Sequence, residues 1–405
     1  MRSLPYFTVI MLCLCIFFVD LLAFYWLQSI THLVVSPVIK QGIHIAFWFF
    51  TIGLIVAILW LRVRMNHIST KRRQPLISFM YGLGVSSLIP KFIFVVVISI
   101  LYFINFLFSE TTSLWVVPLV GLFSGFFPFS VIMYGIFVSL YRFKVYKTKI
   151  NFEQLPAGLN GLRIVQISDL HLGSFNYQYH LFDKAVEMIN DLEADYIFFT
   201  GDLVNYFSWE LEGWKSSLEK LTARYGKYSI LGNHDYGDHS TWESAENKEK
   251  NFREIKDFHQ QIGFHLLLNS SVTKNHQDDQ MAIIGVENWG LPPFEQYGDL
   301  KKAMDPVKDI PFKILLSHDP SHWTAEVIHQ TDIALTLSGH THGMQAGIQV
   351  KDFAWSPIKY QYKQWAGLYQ NESQYLYVNR GLGWLGFPAR IGMRPEITLI
   401  TLGSE

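Results

Sequence analysis

Hydrophobic positions follow two different patterns along this chain. Up to residue 141 they form long unbroken runs. Phe7–Leu27, Ile43–Leu61 and Leu114–Tyr141 are each long enough to cross a hydrocarbon core of about 30 Å, which takes about 20 helical residues. A fourth run, Leu76–Phe108, exceeds one crossing and is interrupted at Pro90-Lys91. The stretch before that proline is too short to span, so the run reads as one helix with a kinked or interfacial first part. The expectation is an all-α membrane region over residues 1–142, with helices at about 7–28, 43–62, 76–108 and 114–141. The first run lacks a small-residue cleavage pattern and is followed by further spans, so it reads as a retained helix rather than a signal peptide.

From Leu162 the pattern changes to short apolar runs, each closing on Asp, His, Asn or Gly. Leu162–Ser168 leads into Asp169-Leu-His171, Tyr196–Thr200 into Gly201-Asp202, and Tyr228–Leu231 into Gly232-Asn233-His234-Asp235. Met281–Val286, Phe312–Ser317 before His318, Ile333–Ser338 before Gly339-His340-Thr-His342, Tyr375–Val378 and Ile397–Leu402 continue the series. Helical spacing of Leu181, Ala185, Met188, Ile189 and Leu192 separates the first two strands, and a second helical stretch is expected near Leu211–Leu221. Strands alternating with helices at this spacing imply right-handed crossovers and a largely parallel core over residues 143–405. Ligands of such sheets gather beyond the carboxyl ends of the strands, so five strands ending in Asp, His or Asn aim those groups at one crevice. The charged stretch Trp242–Glu254 reads as a solvated helix or loop.

Charge sharpens this division. The chain has 33 basic and 34 acidic residues; 10 of these charges lie in residues 1–141, which are net basic, and the remainder is net acidic. A basic nucleic-acid-binding domain is therefore not expected. Cys13 and Cys15 are the only cysteines and both sit in an apolar run, which leaves no disulfide framework and no thiolate metal site. Arg62, Arg64, Lys71, Arg72 and Arg73 crowd one connection, and Arg142, Lys144, Lys147 and Lys149 follow the last run, whereas Ser109–Ser113 carries no basic residue. With four spans this asymmetry puts both termini and the polar half on the cytoplasmic side of an inner or plasma membrane. Asp20 and Lys91 are costly in lipid; the readings are an ion path or a bond across the bundle. Gly82, Gly84, Gly121 and Gly125 read as helix-packing positions.

The strand-end residues resemble, in order and spacing, the signature of the calcineurin-like metallophosphoesterase superfamily. Ile167-Ser-Asp-Leu-His-Leu-Gly173 and the closing Arg380-Gly-Leu-Gly383, with Pro395-Glu396 before the last strand, are similar to a membrane-anchored bacterial branch of it. The resemblance covers about residues 143–405 and implies a four-layer α/β sandwich. It also implies a first metal held by Asp169, His171, Asp202 and His342, and a second held by Asp202, Asn233, His318 and His340, with Asp202 as the bridge. Oxygen and imidazole donors without sulfur suit Mn, Fe or Zn. Two such divalent ions sharing a water generate hydroxide near neutral pH and neutralise charge building on a phosphoryl group. His234 would then face the phosphate as an acid or electrostatic partner, with Asp235 a candidate to orient it. Taken singly, Asp169, Asp202 and Asn233 also suit helix capping. Met344 stands where many members carry a second glycine after Gly343.

Of the remaining side chains, His180, His239, His259, His265, His276, His322 and His329 read as surface residues. Arg380, Arg390 and Arg394 are alternatively grips for a second phosphate or structural residues. Trp355, Tyr360, Tyr362, Trp365 and Tyr369, with Trp384 and Phe387, read either as a packed hairpin or as an aromatic wall that meets the headgroup layer, an acyl chain or a base. The expected activity is metal-dependent cleavage of a phosphodiester or pyrophosphate bond at the lipid bilayer, with a lipid-linked substrate favoured and a nucleotide or soluble phosphodiester left open. The rival from another class is a non-catalytic metal-binding sensor or transport subunit. Oligomeric state is not legible in the sequence.

Overall fold

The computed structural model describes residues 5–108, 116–176, 178–350 and 353–404. It divides into two compact units. One contains the helices up to Val138 together with Gly386–Ala389, and the other runs from Ser139 to Leu385 and resumes at Arg390.

The helical unit comprises α1 (Tyr6–Thr31), α2 (Pro37–Arg64), α3 (Thr70–Phe108) and α4 (Val116–Phe137). All four have the length and apolar composition of membrane spans. Ser36 starts α2 by accepting the Ile39 N–H, with Pro37 at the first helical position where its missing N–H costs nothing. α3 begins at Thr70, ahead of the predicted position, and contains Pro75 and Pro90 without a break in assignment. The loop expected at Ser109–Ser113 and the first residues of the fourth predicted helix lie outside the described residues. Asp20 is fully buried, pairs with Lys91 Nζ at 2.7 Å and accepts the Thr51 hydroxyl, so the two costly charges neutralise each other across three helices. The Trp26 indole N–H donates to Ser99 Oγ at 2.9 Å and its ring stacks on Tyr102. A Cβ at Gly121 would come within 2.8 Å of Ile98, and one at Gly125 within 3.2 Å of Phe94, so these two glycines do set the approach of α4 to α3. Gly84 faces open space and packs nothing.

The second unit is built on two six-stranded sheets. The first orders β1 (Lys144–Phe152), β14 (Glu396–Ser404), β2 (Arg163–Ile167), β3 (Tyr196–Phe199), β4 (Gly226–Ser229) and β5 (His265–Leu266). The second orders β12 (Gly367–Asn371), β13 (Gln374–Val378), β9 (Leu335–Ser338), β8 (Phe312–Leu316), β7 (Asp279–Gly285) and β6 (Ser270–His276). Parallel pairing runs from β2 through β5 and from β7 through β9 to β13, as the crossover pattern requires. β14 lies antiparallel to β2, and β6 and β12 close the second sheet antiparallel, so the sheets are mixed rather than wholly parallel. β10 (Ile348–Val350) and β11 (Phe353–Trp355) form a separate hairpin.

Alternation along the strands creates four layers. Ile164, Phe198, Tyr228 and Ile400 of the first sheet meet Ile283, Ile314, Leu316 and Leu337 of the second in a dry interior. The opposite face of the first sheet, with Val165, Ile167, Ile197 and Phe199, is covered by α5 (Tyr179–Asn190) and α7 (Ala245–Gln261) through Phe182, Ile189, Ile255 and Phe258. Ile284, Leu315 and Leu376 on the outer face of the second sheet pack against Leu300 and Ala303 of α8 (Leu300–Met304) and against Trp323 and Val327. Burying each such side chain stabilises the fold by about 1.5–3 kcal/mol. The helix expected near Leu211–Leu221 shrinks to one turn, α6 (Lys215–Leu218), because Gly213 adopts φ 82° and ends the regular spiral before it.

Candidate metal centre

The donors lie just beyond strand ends: Asp169 and His171 after β2, Asp202 after β3, Asn233 and His234 after β4, His318 after β8, and His340 and His342 after β9. Asp169, His171, Asp202, His340 and His342 all adopt positive φ, between 44° and 71°. Each such conformation costs a non-glycine residue on the order of 1–3 kcal/mol, and clustering of this kind marks functional sites. The backbone holds them there: Asp169 N donates to Gly201 O at 2.9 Å, His171 N to Asp202 O at 3.2 Å and Gly383 N to Asp169 O at 2.8 Å. Close approach also dictates two glycines. A Cβ at Gly232 would collide with the Asp202 carboxylate, and one at Gly339 with Ser168 and the Asp169 carboxylate.

Two groups of donors converge, Asp169 with His171 and His342, and Asp169 with Asp202 and His318, each with its ligand atoms within 4.8 Å of one another. Asp202 Oδ2 stands between them, 3.6 Å from His171 Nε2 and 3.2 Å from His318 Nε2. His342 Nε2 lies 3.2 Å from Asp169 Oδ1 and 3.1 Å from His171 Nε2. His340 Nδ1 is 2.9 Å from Asn233 Oδ1. All seven residues named as ligands in the sequence are thus brought into contact with at least one other of the set.

The rest of each ring is occupied as a metal ligand requires. His318 donates from Nδ1 to the Thr200 carbonyl at 2.7 Å, so its Nε2 lone pair is left for a cation. His340 meets the Tyr362 hydroxyl through Nε2 at 2.8 Å, which leaves Nδ1 facing the site. His171 Nδ1 is buried without a hydrogen-bond partner, and His318 Nε2 faces the Asp202 carboxylate at 3.2 Å. Imidazole Nε2 atoms of His171, His318 and His342 aimed at the buried Asp169 and Asp202 carboxylates fit divalent cations and fit poorly with a purely structural polar cluster.

Electrostatics point the same way. Burial works against charge on Asp169 and Asp202, yet His342 beside the first and His318 beside the second hold both carboxyls well below the usual range. Burial pushes His171 down to about 3. His318 is buried too, but Asp202 lifts it to about 10, so cation binding there would displace a proton. Burial, then the Asp202 charge, push Asp235 up to about 7.

His234 lies at the edge of this group, its ring centroid 5.1 Å from that of His171. Its Nδ1 lies 2.8 Å from the Asn205 carbonyl, which can only accept, so Nδ1 carries the hydrogen and Nε2 remains for proton exchange. The orienting partner is therefore Asn205, a residue the sequence reading did not consider. The Asp235 carboxylate, offered for that task from the sequence, instead accepts the N–H groups of Asp202, Leu203, Val204 and Gly232 and ties the Asp202 loop to the Asn233 loop.

Several residues were misplaced by the sequence. His239, read as a surface residue, lies 3.0 Å from Asn233 Nδ2 with its ring 4.8 Å from that of His234. Its position five residues beyond His234 in one loop was the available signal. His259, His276 and His322 are buried, not exposed. Arg380 is locked to Glu396 at 2.5 Å, Arg390 donates to the carbonyls of Arg380, Gly381 and His342, and Arg394 donates to Arg142 and Phe143, so all three serve the framework. Tyr362 and Trp365 pack with Met393 in a small cluster, while Trp355 belongs to the β10–β11 hairpin.

A double sheet with strand-end carboxylates and imidazoles gathered around one point is the arrangement of the metallophosphoesterase fold. The chain belongs to the calcineurin-like phosphoesterase family. The model of the calcineurin-like phosphoesterase domain matches residues 162–344, and that of a probable calcineurin-like phosphoesterase transmembrane domain matches residues 2–139. A zebrafish (Danio rerio) transmembrane protein with metallophosphoesterase domain is 31% identical over 280 residues, covering 67% of this chain and 60% of that protein. The aligned region thus spans less than two thirds of that relative. An uncharacterised metallophosphoesterase of Bacillus subtilis is 32% identical, covering 62% of this chain and 82% of the relative. The UDP-2,3-diacylglucosamine pyrophosphatase of Chlamydia trachomatis is 30% identical, covering 62% of this chain and 88% of that enzyme. The chain is accordingly a multi-pass membrane protein of a phosphoric ester hydrolase family.

Proposed function

We propose that this protein hydrolyses a phosphodiester or pyrophosphate bond at a dinuclear centre, on a lipid-linked substrate, with the catalytic unit on the cytoplasmic side of the plasma membrane. The observation that carries the reading is His234, whose Nδ1 is fixed on Asn205 while its Nε2 is left beside a full donor set. A binding-only site would need the ligands but not this imidazole.

Asp169, His171, Asp202 and His342 would hold one cation and Asp202, Asn233, His318 and His340 the other. When bound, the pair would supply an activated water and neutralise charge on the phosphoryl oxygens. Asp202 keeps its negative charge through the surrounding imidazoles, and its backbone carbonyl and Oδ1 anchor His171 N and His234 N. With Nδ1–H held by Asn205, a His234 ring that also carries a proton on Nε2 would give that proton to the departing oxygen and be left neutral. Asp235 is a positioning residue that fixes the two loops rather than a proton carrier.

The preference for a lipid-linked pyrophosphate rests on the tether, which concentrates the site at the bilayer, and on the similarity to an enzyme named for a diacylated nucleotide sugar. The basic connection between the second and third helices supports the cytoplasmic placement. Incubation of the purified protein with Mn(II) and chromogenic phosphodiester or lipid-linked pyrophosphate substrates, beside His234→Ala and Asp202→Ala variants, tests the activity. Turnover that falls by about 100-fold or more in His234→Ala with metal retained supports catalysis. Equal background in all three would favour the sensor reading. A reporter active only outside the cytoplasm, fused to the C-terminus, should be silent.

A further inference from the structure

Of the four side chains proposed for the second cation, three have their far side fixed by a partner outside the donor set. His318 Nδ1 is held by the Thr200 carbonyl at 2.7 Å, His340 Nε2 by the Tyr362 hydroxyl at 2.8 Å, and Asp202 Oδ1 accepts the His234 N–H at 2.9 Å. The fourth, Asn233, is the ligand that most needs such a partner. Only its carbonyl oxygen has a lone pair for a cation, whereas its NH₂ can only donate. The two ends of the amide are nearly the same size, so packing alone does not decide which of them faces the centre.

We propose that His239 is a positioning residue that fixes the Asn233 amide with its oxygen toward the second cation. Asn233 Nδ2 donates to His239 Nε2 at 3.0 Å, while Oδ1 lies 2.9 Å from His340 Nδ1. Asn233 is buried, so an NH₂ group deprived of His239 would have to find another acceptor inside the protein. Rotation of the amide offers one, the lone pair of His340 Nδ1, which is the atom that faces the cation. Two ligands of the second site would then satisfy each other and the site would close. His239 prevents this by engaging the nitrogen end of the amide from the opposite side. The inference rests on the two-cation reading of the centre.

The loop is shaped to bring His239 back over Asn233. Gly237 takes φ 69°, and its carbonyl accepts the Trp242 indole N–H at 2.8 Å. A Cβ at Gly237 would stand 2.7 Å from the Trp242 ring, so only glycine lets the turn close this tightly. Asp238 is tied to Lys248 and accepts the Tyr297 hydroxyl at 2.9 Å, which pins the backbone just before His239. Phe294 packs edge-to-face against both His239 and His340, with ring centroids 6.1 and 5.0 Å apart. The two imidazoles that flank the Asn233 amide therefore share one aromatic neighbour. The His239 ring also lies 4.8 Å from that of His234, but its Nε2 lone pair is engaged by Asn233, which separates its task from proton transfer.

Detergent-purified full-length protein, stripped of metal and titrated with Mn(II), provides the test. Electron paramagnetic resonance distinguishes a spin-coupled pair of ions from an isolated one, equilibrium dialysis counts them, and circular dichroism checks that each variant is folded. His239→Leu and His239→Ala should each weaken the second ion by about 10–100-fold and leave the first little changed, the effect typical of removing a ligand's outer partner. His239→Gln, whose Oε1 can accept from Asn233 Nδ2, should recover most of that loss. Leu and Ala variants that hold the pair as tightly as the parent overturn the assignment of His239 alone, whereas a parent that binds no pair overturns the two-cation reading with it. Equal loss in the Leu and Gln variants also overturns the assignment, because the ring would then matter to the loop and not to the amide. So does a Gln variant that binds the pair as the parent does but loses turnover of a chromogenic phosphodiester, which would move His239 into the chemistry.

Discussion

Replacing Asp235 by asparagine separates a loop clamp from a catalytic carboxylate. Oδ2 of Asp235 accepts Asp202 N at 3.0 Å and Gly232 N at 2.9 Å, and Oδ1 accepts Leu203 N at 2.9 Å and Val204 N at 3.2 Å. An amide keeps one oxygen and turns an NH₂ toward the other two donors, so two buried N–H groups lose their acceptor. Hydrogen bonds to a charged group contribute about 1.5–3 kcal/mol each, which sets an upper loss of about 3–6 kcal/mol. Because burial and the Asp202 charge push the carboxyl up, its hydrogen bonds are weaker than those of a full carboxylate, and the loss lies toward the lower end of that range, about 3 kcal/mol. For a domain of this size that corresponds to a fall of roughly 5–15 °C in Tm. Thermal unfolding of the detergent-purified Asp235→Asn protein, with bound metal counted by mass spectrometry and a pH–rate profile on a chromogenic phosphodiester, reads all three consequences. Lower stability and lost metal, with the shape of the profile unchanged wherever metal is restored, are expected. A variant that keeps its Tm and its metal but loses turnover would refute the clamp and return Asp235 to the chemistry.

The His259 ring is fully buried with neither nitrogen bonded, and burial lowers it to about 3. Its unfolded value is near 6.5, so the unfolded chain binds the proton first, and stability contributed by the neutral ring is present above pH 6.5 and lost as pH falls toward 3. Between pH 8 and pH 5 this one residue should remove about 2 kcal/mol, and His259→Leu should flatten that part of a stability-versus-pH curve relative to the parent. Gly232→Ala forces a methyl group into the Asp202 carboxylate, and metal content should fall well below that of the parent while far-ultraviolet circular dichroism is preserved. Lys91→Met leaves Asp20 buried and unpaired and should destabilise the helical unit by about 3–5 kcal/mol, whereas Asp20→Asn with Lys91→Met should restore most of it; unfolding in detergent separates the two. Chelation of the bound cations should lower Tm by the equivalent of about 2.7 kcal/mol where the free ion stood at 100 times its Kd, because donors from both sheets close on the same point.

The membrane helices were plain in the sequence because a hydrocarbon environment demands unbroken apolar runs, and the major strands were plain because buried parallel strands share that property over fewer residues. Polar groups at the ends of those strands carried the site, since the fold brings β2, β3, β4, β8 and β9 to a common edge. What stayed hidden depends on longer-range geometry. β1 carries a lysine at three of its nine positions and gives no buried pattern on one side, and β6 is mostly polar. The short strand β5 has two residues and no period at all. Asn205 and Asp235 could not be assigned because the sequence shows neither that the Asn205 carbonyl turns to His234 nor that Asp235 collects four amides from two loops. Burial of His259 depends on α7 covering β3, and a charged helix such as Ala245–Gln261 advertises its wet face more strongly than its dry one.

The order of strands in the first sheet has a bearing on biosynthesis. β14, which follows the other strands of its sheet in the chain, is wedged between β1 and β2, and pairs along the full length of β1. A nascent chain still on the ribosome therefore carries β1 with no neighbour on which to zip. The ammonium groups of Lys144, Lys147 and Lys149 would discourage foreign strands from annealing there until translation delivers the missing rung.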